Sequence, residues 1–380
     1  MKSPRLRKIL GQPSWEFKSD CVSACLTETG GHLGPVRFRL GNRVVEPFSV
    51  APWAEESIDA VPMLQALRGD FFCFPFGGND ASWKGENHPP HGEGANRKWK
   101  VKMILQSKGN VLVQAIMSTK ARPGRIVKTI ILQAGRTVIY QEHQLSGYSG
   151  EMPVGHHPML LFPDEPGSGL LSFSKFVHGQ VYPGQFEKPE SRGYQSLRRG
   201  ATFRSLGRVP LLAGGLTDLS RYPARRGYED LVLLCSDPSL PFAWSAVAFP
   251  KQRYAWFALR DPRVLRNTIL WISNGGRHYA PWSGRHINVM GIEDTTSYFH
   301  EGIAPSIKPN SLNRRRIPTT ISLDPSKPTK IAHIMGVAPI PAGFDHVADI
   351  QQTSTGIVMR SRSGKRVACK LDLSWLGSLA

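Results

Sequence analysis

Residues 99–145 read WKVKMILQSKGNVLVQAIMSTKARPGRIVKTIILQAGRTVIYQEHQL, and this stretch decides the fold class. It divides into the runs WKVKMILQS (99–107), VLVQAIMST (111–119), IVKTIILQAG (126–135) and TVIYQEHQL (137–145), all rich in β-branched residues. Several of them alternate apolar with polar positions, the period that turns one face of a strand to a core and the other to water. Gly-containing and Pro-Gly breaks separate the runs, so the stretch predicts an antiparallel meander.

The same signal extends in both directions. VRFRL (36–40) precedes the meander, and LVLLCS (231–236), FAWSAVAF (242–249), YAWFALR (254–260), NTILWISN (267–274) and HINVMGIE (286–293) follow it. KIAHIMGVA (330–338), GIVMRSR (356–362) and RVACKLDL (366–373) complete the set. Helical periodicity is scarce. Ile58, Val61, Met63, Leu64 and Leu67 form a loose apolar stripe over Ala54–Leu67, interrupted by Pro62,. Strands do not alternate with helices, so the expected architecture is all-β, with two or more packed antiparallel sheets. Residues 164–230 are richer in Gly, Arg and polar residues and read as long loops. No internal repeat or boundary is visible, which predicts one domain over 1–380 with its core at about 25–375,.

Composition narrows the classes of function. A chain of 380 residues with 40% hydrophobic content can bury a sizeable core, which excludes intrinsic disorder,. The 37 Gly and 30 Pro are spread as turn punctuation,. A net charge of +19 invites a polyanion, but the densest clusters are only Arg314-Arg315-Arg316, Arg198-Arg199 and Arg225-Arg226. No zinc-finger, RNP or helix-turn-helix pattern accompanies them, which argues against nucleic acid and for a solvated basic surface. The charge is also compatible with an anionic ligand such as a phosphorylated sugar. The five cysteines (Cys21, Cys25, Cys73, Cys235, Cys369) are an odd, sparse set that predicts no disulfide framework, and Cys21 and Cys25 lack the second pair a structural zinc needs,. MKSPRLRKILGQPSWEF at the start lacks the apolar core of a signal peptide, and no apolar run is long enough to span a membrane,. The expected setting is a reducing cytoplasm with no membrane partner.

Three stretches carry candidate chemistry. In LRGDFFCFPFGGNDASWKGENHPPHGEGANRKW (67–99), Gly and Pro place two histidines in an irregular loop; His88 reads as solvated and His91, within Pro-Pro-His-Gly, as the functional candidate,. In SGYSGEMPVGHHPMLLFP (146–163), an extended backbone sends His156 and His157 to opposite faces, so one of them can enter a given cleft,. Metal ligation by this pair lacks a third ligand at suitable spacing. In ILWISNGGRHYAPWSGRHINVMGIEDTTSYF (269–299), Glu293 ends an apolar run; partial desolvation there raises a carboxyl pKa toward that of a general base,. Taken alone, a turn-capping carboxylate is the simpler reading of Glu293. No nucleophile elbow, Walker loop or His-Glu-x-x-His is present.

Taken in order, these stretches resemble the aldose 1-epimerase (galactose mutarotase-like) superfamily, of which the chain reads as a divergent member. Leu67-Arg68-Gly69-Asp70 leading into Phe74-Pro75-Phe76-Gly77 looks like the Arg-Gly-Gly…Pro-x-Phe-Gly stretch of the hexose-6-phosphate mutarotase branch. His91-Gly92 with Ala95 and Trp99, Gly155-His156-His157-Pro158, and Gly291-Ile292-Glu293 look like three further family segments, and Thr29-Gly30-Gly31-His32-Leu33 like its Gly-rich start. The resemblance implies a β-supersandwich that binds a monosaccharide or sugar phosphate in a cleft on a concave sheet and interconverts its anomers, without a redox cofactor or metal. It implies that His157 is the acid toward the ring oxygen, that Glu293 is the base at the C1 hydroxyl and that His91 orients the sugar. Arg68 and Asp230 would be further substrate contacts. The sequence departs from the family at Met159-Leu160 after His157-Pro158, at Asp294 after Glu293, and at Asn96 where an Arg is expected. These departures leave a non-catalytic carbohydrate-binding protein of the same fold as the alternative. A further one is a sugar lyase or isomerase using Tyr279 or Tyr298, since one fold hosts several chemistries.

Overall fold

The computed structural model describes residues 5–377; Met1–Pro4, where the stretch read as lacking a leader begins, lie outside them. The chain forms two compact units, each discontinuous in sequence. The first holds the residues up to Pro158 with Arg263–Arg266 and Asp294–Ile334. The second holds Met159–Pro262, Asn267–Glu293 and the chain from Met335 on. The strands Val289–Thr296 and Thr329–Pro339 each pass from one unit to the other, at Asp294 and at Met335. Repeated crossing of this kind leaves no single linker for composition to reveal.

In the first unit, Leu6–Ile9, Gln12–Lys18, Val22–Thr27, Leu33–Leu40 and Arg43–Val45 pair in sequential antiparallel order. Alternation explains the strand Leu33–Leu40: Val36, Phe38 and Leu40 are buried while Arg37 and Arg39 face water,. The meander foreseen at 99–145 is present as Lys100–Ser107, Asn110–Thr119, Gly124–Leu132 and Val138–Ser146, paired antiparallel in that order. Two short strands, Phe72–Cys73 and Val154–His156, pair through Gly155 with Cys73 and His156 with Phe72. This register places the two histidine-bearing stretches side by side.

In the second unit, Tyr228–Ser236 pairs antiparallel with Asn267–Asn274, and Ala243–Phe249 with Tyr254–Arg260. The last three of these strands are buried at every residue, and the first at every residue after Tyr228. Cover on both faces is the reason their sequences read as nearly continuous apolar runs with little alternation. Met159–Leu161 pairs with the start of Val289–Thr296, Met159 opposite Gly291. Val347–Thr353, Gly356–Ser361 and Arg366–Lys370 form a three-stranded meander.

Two expectations change. The helix proposed for Ala54–Leu67 is one turn, Pro62–Gln65: proline at the first helical position begins the turn, and the residues before it lie in turns and coil,. The region 164–230 is not loop alone. It contains the strands Gly169–Phe173 and Phe176–Val181 and a hairpin of Val209–Pro210 with Leu216–Thr217. Besides that turn, the described residues hold two α-helices, Gly92–Asn96 and Ile303–Ile307, so the fold is all-β with antiparallel sheets. No described helix is long and apolar enough to cross a membrane. All five cysteines are free thiols.

Candidate functional site

In the first unit, the candidate histidines meet around Phe71. The His157 ring stacks on Phe71 at a centroid distance of 4.5 Å and 17°, and the His32 ring also stacks on Phe71, at 4.3 Å. His91 meets His157 edge-on at 5.0 Å and Phe76 at 5.1 Å. His91 sits in the left-handed region with φ of 57°, held by its own N–H on the Gly77 carbonyl (2.7 Å) and by the Phe74 N–H on its carbonyl (3.2 Å). Gly92 after it is obligatory: φ is 77° and a Cβ would lie 1.9 Å from the Phe74 oxygen,. Burial pushes His91 down to about 4 and His32 to about 3. Burial, then the neighbouring His91, holds His157 well below the usual histidine range. All three are therefore neutral imidazoles at neutral pH, and His32 Nε2 donates to the Ala95 carbonyl (3.2 Å),.

Asp70 joins the two adjacent histidines. One carboxylate oxygen accepts from the His157 backbone N–H (2.9 Å); the other accepts from His156 Nδ1 (2.9 Å) and Gln141 Nε2 (2.6 Å). Burial alone would raise this carboxyl, but His156, His333 and Lys128 outweigh it and hold Asp70 below the usual carboxylate range. His156 thus faces away from Phe71 and into a second cluster. It stacks on His333 (4.4 Å, 15°), whose Nε2 bonds Asp294 (2.9 Å), and it meets His143 edge-on at 4.9 Å. Phe71 and Phe72 separate in the same way, Phe72 stacking on His143 at 3.9 Å,.

Ligating atoms of Asp70, His156 and His333 lie within 4.8 Å of one another. The stack keeps the in-plane lone pairs of the two imidazoles in separate, near-parallel planes, so one ion cannot lie in both. The buried Lys128, pushed down to about 8 by burial and bonded to the Gly31 carbonyl (2.8 Å), adds a cationic neighbour. The cluster is a buried hydrogen-bonded network that fixes the backbone beneath His157.

In the second unit, Glu293 is buried, and burial pushes its carboxyl well above the usual range. Gly291 makes room for it: a Cβ there would lie 2.5 Å from Glu293 Oε1 and 3.2 Å from Trp271 Cβ. Trp271 leads to a group that the sequence reading missed. Trp271 Nε1 (3.1 Å) and Ser273 Oγ (2.9 Å) donate to Glu229, and Ser273 Oγ is also 2.6 Å from His286 Nδ1. Arg277 Nε donates to Glu187 (2.5 Å) and lies 3.9 Å from Glu229, its guanidinium packed on Trp282, Phe186 and Trp271 at 4.6, 5.1 and 5.5 Å. Burial raises Glu229 to about 7 against the pull of Arg277. Aromatic faces beside fixed carboxylates and a guanidinium are the surfaces on which sugar C–H faces stack and hydroxyls bond.

Two expected substrate contacts have structural duties. The Asp230 carboxylate accepts from Ser196 N–H (2.9 Å), Ser196 Oγ (2.5 Å) and Leu197 N–H (2.8 Å), anchoring the neighbouring loop. Its predecessor Glu229 projects from the other face of the strand. Arg68 is fully buried and donates to the carbonyls of Ala66, Ile9 and Leu10 (3.1, 3.0 and 2.8 Å). Tyr279 donates to Glu187 (3.2 Å) and is pushed up to about 12 by burial, so it stays protonated at neutral pH, while Tyr298 bonds Ser311 (3.3 Å). His88 pairs with Glu86 (2.8 Å). The sequence signal for Trp271, Ser273 and Arg277 was present in the stretch 269–299; Glu187 lay in a region read as loop.

No family model and no curated protein matches the sequence. Solved structures do match. A protein of Klebsiella pneumoniae provisionally named an aldose 1-epimerase superposes with a TM-score of 0.60 at 13% identity, over 86% of this chain and 79% of its own. An Escherichia coli K12 protein with the same provisional name gives 0.57 at 12%, over 87% and 100%. A galactose mutarotase-like protein of Clostridium acetobutylicum gives 0.54 at 13%, over 88% and 98%. The chain therefore has the galactose mutarotase-like β-supersandwich fold.

Proposed function

We propose that the chain binds an aldose, free or phosphorylated, and interconverts its anomers by acid–base ring opening. The observation that carries the reading is the aromatic and imidazole group around Phe71, on a mutarotase-like fold, with His157 anchored through its backbone by the buried Asp70. In the reaction a base takes the proton of the C1 hydroxyl while an acid delivers one to the ring oxygen, and the C1–O bond of the ring breaks. Rotation about C1–C2 and reclosure by the reverse transfers give the other anomer. His157 is assigned to the ring oxygen; its depressed basicity makes the imidazolium, once formed, a strong acid toward that oxygen,. Glu293 is assigned to the C1 hydroxyl, and His91 to orienting the sugar beside His157. Trp271 with Glu229 replaces Asp230 as the mid-chain recognition element. The raised Glu293 carboxyl implies that activity climbs with pH as that group ionises.

The raised carboxyl also favours a second reading, a sugar-binding protein without catalysis. A protonated carboxyl donates a hydrogen bond to a sugar oxygen instead of taking a proton. Saturation-transfer NMR over free and phosphorylated aldoses separates the two. Accelerated exchange is expected in the parent chain, with losses of about 10²–10⁴-fold in His157→Asn and Glu293→Gln at unchanged circular dichroism. Activity retained in both variants removes the residue assignment. Bound sugar with exchange at the buffer rate leaves the binding protein.

A further inference from the structure

The surplus of positive charge has no part in the reading above. It is unevenly placed: residues 191–226 of the second unit hold eight arginines, no lysine and one acidic residue, Asp218. At the centre of this segment is a small three-stranded ribbon. Val209 pairs with Thr217 and Pro210 with Leu216, and Leu197 bridges Leu211. Hydrogen bonds from Arg198 N to the Pro210 oxygen (2.9 Å) and from Leu212 N to the Ser196 oxygen (2.8 Å) continue the pairing. Beneath it, Asp230 and the Arg225 bond to Thr217 (2.9 Å) fix the ribbon to the rest of the unit.

The register sorts the side chains by face. Leu197 and Val209 point inward and are fully buried. Arg198, Pro210 and Leu216 stand side by side on the outer face, with Arg208 and Leu212 on that face along the middle strand. Leu212 is 56% and Leu216 48% exposed, and the turn between them, Ala213-Gly214-Gly215, is exposed and uncharged. Arg198 and Arg208 are exposed and form no ion pair among the described residues. An apolar tip flanked by free guanidinium groups suits one environment: apolar atoms enter the acyl boundary while the guanidinium groups meet phosphates in the headgroup layer.

We propose that the ribbon 196–217 docks the protein on the surface of an anionic lipid bilayer, with Leu212 and Leu216 inserted and Arg198 and Arg208 on the headgroup phosphates. A ribbon lying on a bilayer needs no spanning segment, so the absence of an apolar run across the membrane does not bear on it. Charge alone fits nucleic acid equally. The leucines decide between the two, because a polynucleotide offers no apolar phase to receive them and the outer face carries no aromatic ring for a base to stack on.

Vesicle flotation of the full chain tests this, with phosphatidylcholine vesicles containing 30% phosphatidylserine, pure phosphatidylcholine vesicles, and poly(U) as a competing polyanion. Binding to the anionic vesicles alone is expected, weakening between 0.1 M and 0.5 M salt. Arg198→Gln and Arg208→Gln should each lower the partition coefficient about fivefold. Leu212→Asp with Leu216→Asp should lower it at least tenfold, with the thermal midpoint unchanged because both side chains are solvated. No flotation overturns the proposal. So does vesicle binding that ignores the leucine substitutions, or binding to poly(U) that the vesicles do not displace.

Discussion

The candidate clusters of the two units bury polar groups differently. The first gathers His32, His91, His143, His156, His157 and His333 around Phe71, Phe72 and the buried Asp70 and Asp294, and holds His91 and His156 at about 4 and His32 at about 3. The second sets the Arg277 guanidinium against Glu187 and Glu229 and covers it with aromatic faces. Neutral imidazoles escape most of the desolvation cost of an ion. Paired charges accept that cost in exchange for a fixed geometry. On this comparison, the first cluster rests on stacked and edge-on rings and the second on a guanidinium between carboxylates.

Asp70 is where the contrast is expected to break most sharply. Asp70→Ala removes the anion and strands His156, Gln141 and the His157 N–H in the interior; a loss of about 3–5 kcal/mol in urea denaturation is expected. Next is Arg277→Met, which leaves Glu187 and Glu229 without their cation. A cost of about 2–4 kcal/mol is expected, with KM for the sugar rising more than kcat falls if this cluster recognises substrate.

Acidity acts with opposite sign on His91 and His156 in the first unit and on Glu229 in the second. His91 and His156, held at about 4, refuse a proton that the unfolded chain accepts. Their contribution is whole above an ordinary histidine value of about 6.5 and is lost as pH falls toward 4, at roughly 1.4 kcal/mol per pH unit for each group. Glu229, raised to about 7, contributes fully below an ordinary glutamate value of about 4.3, and that contribution is lost as pH rises through about 7,. Hydrogen exchange resolved by segment should show protection around Phe71 falling in acid, and protection around Trp271 falling toward alkaline pH. The smallest effect is expected at His143, which is fully buried and stacked on Phe72 with neither ring nitrogen hydrogen-bonded among the described residues. His143→Phe keeps the stack and removes two unsatisfied atoms, so the thermal midpoint should hold or rise slightly.

Most strands were legible because their signal is local. Tyr254–Arg260 and Asn267–Asn274 have the bounds their sequences suggest, and the 99–145 meander pairs in the order its turns imply. The N-terminal strands Leu6–Ile9 and Gln12–Lys18 escaped notice, since LRKI and QPSWEFK carry few β-branched residues and gain their form from partners,. The site was legible in part. His91 and His157 meet around Phe71, a proximity that only the family resemblance had implied, whereas Asp70 was read only as a neighbour of Arg68.

By itself, the sequence determined the all-β class, the positions of most strands and the separation of His156 from His157. Each of these follows from a two-residue repeat or a turn residue acting within a few positions. Only the tertiary structure decided which of two adjacent acids joins the Trp271 and Arg277 cluster. Glu229 and Asp230 leave their strand on opposite faces by necessity, and nothing in Tyr-Glu-Asp-Leu says which face is which. The choice rests on partners distant in sequence. Ser196 and Leu197 take up Asp230, and Ser273 and Trp271 turn Glu229 toward Arg277. Burying a carboxylate is tolerable only where such donors converge, and convergence is a property of the folded chain.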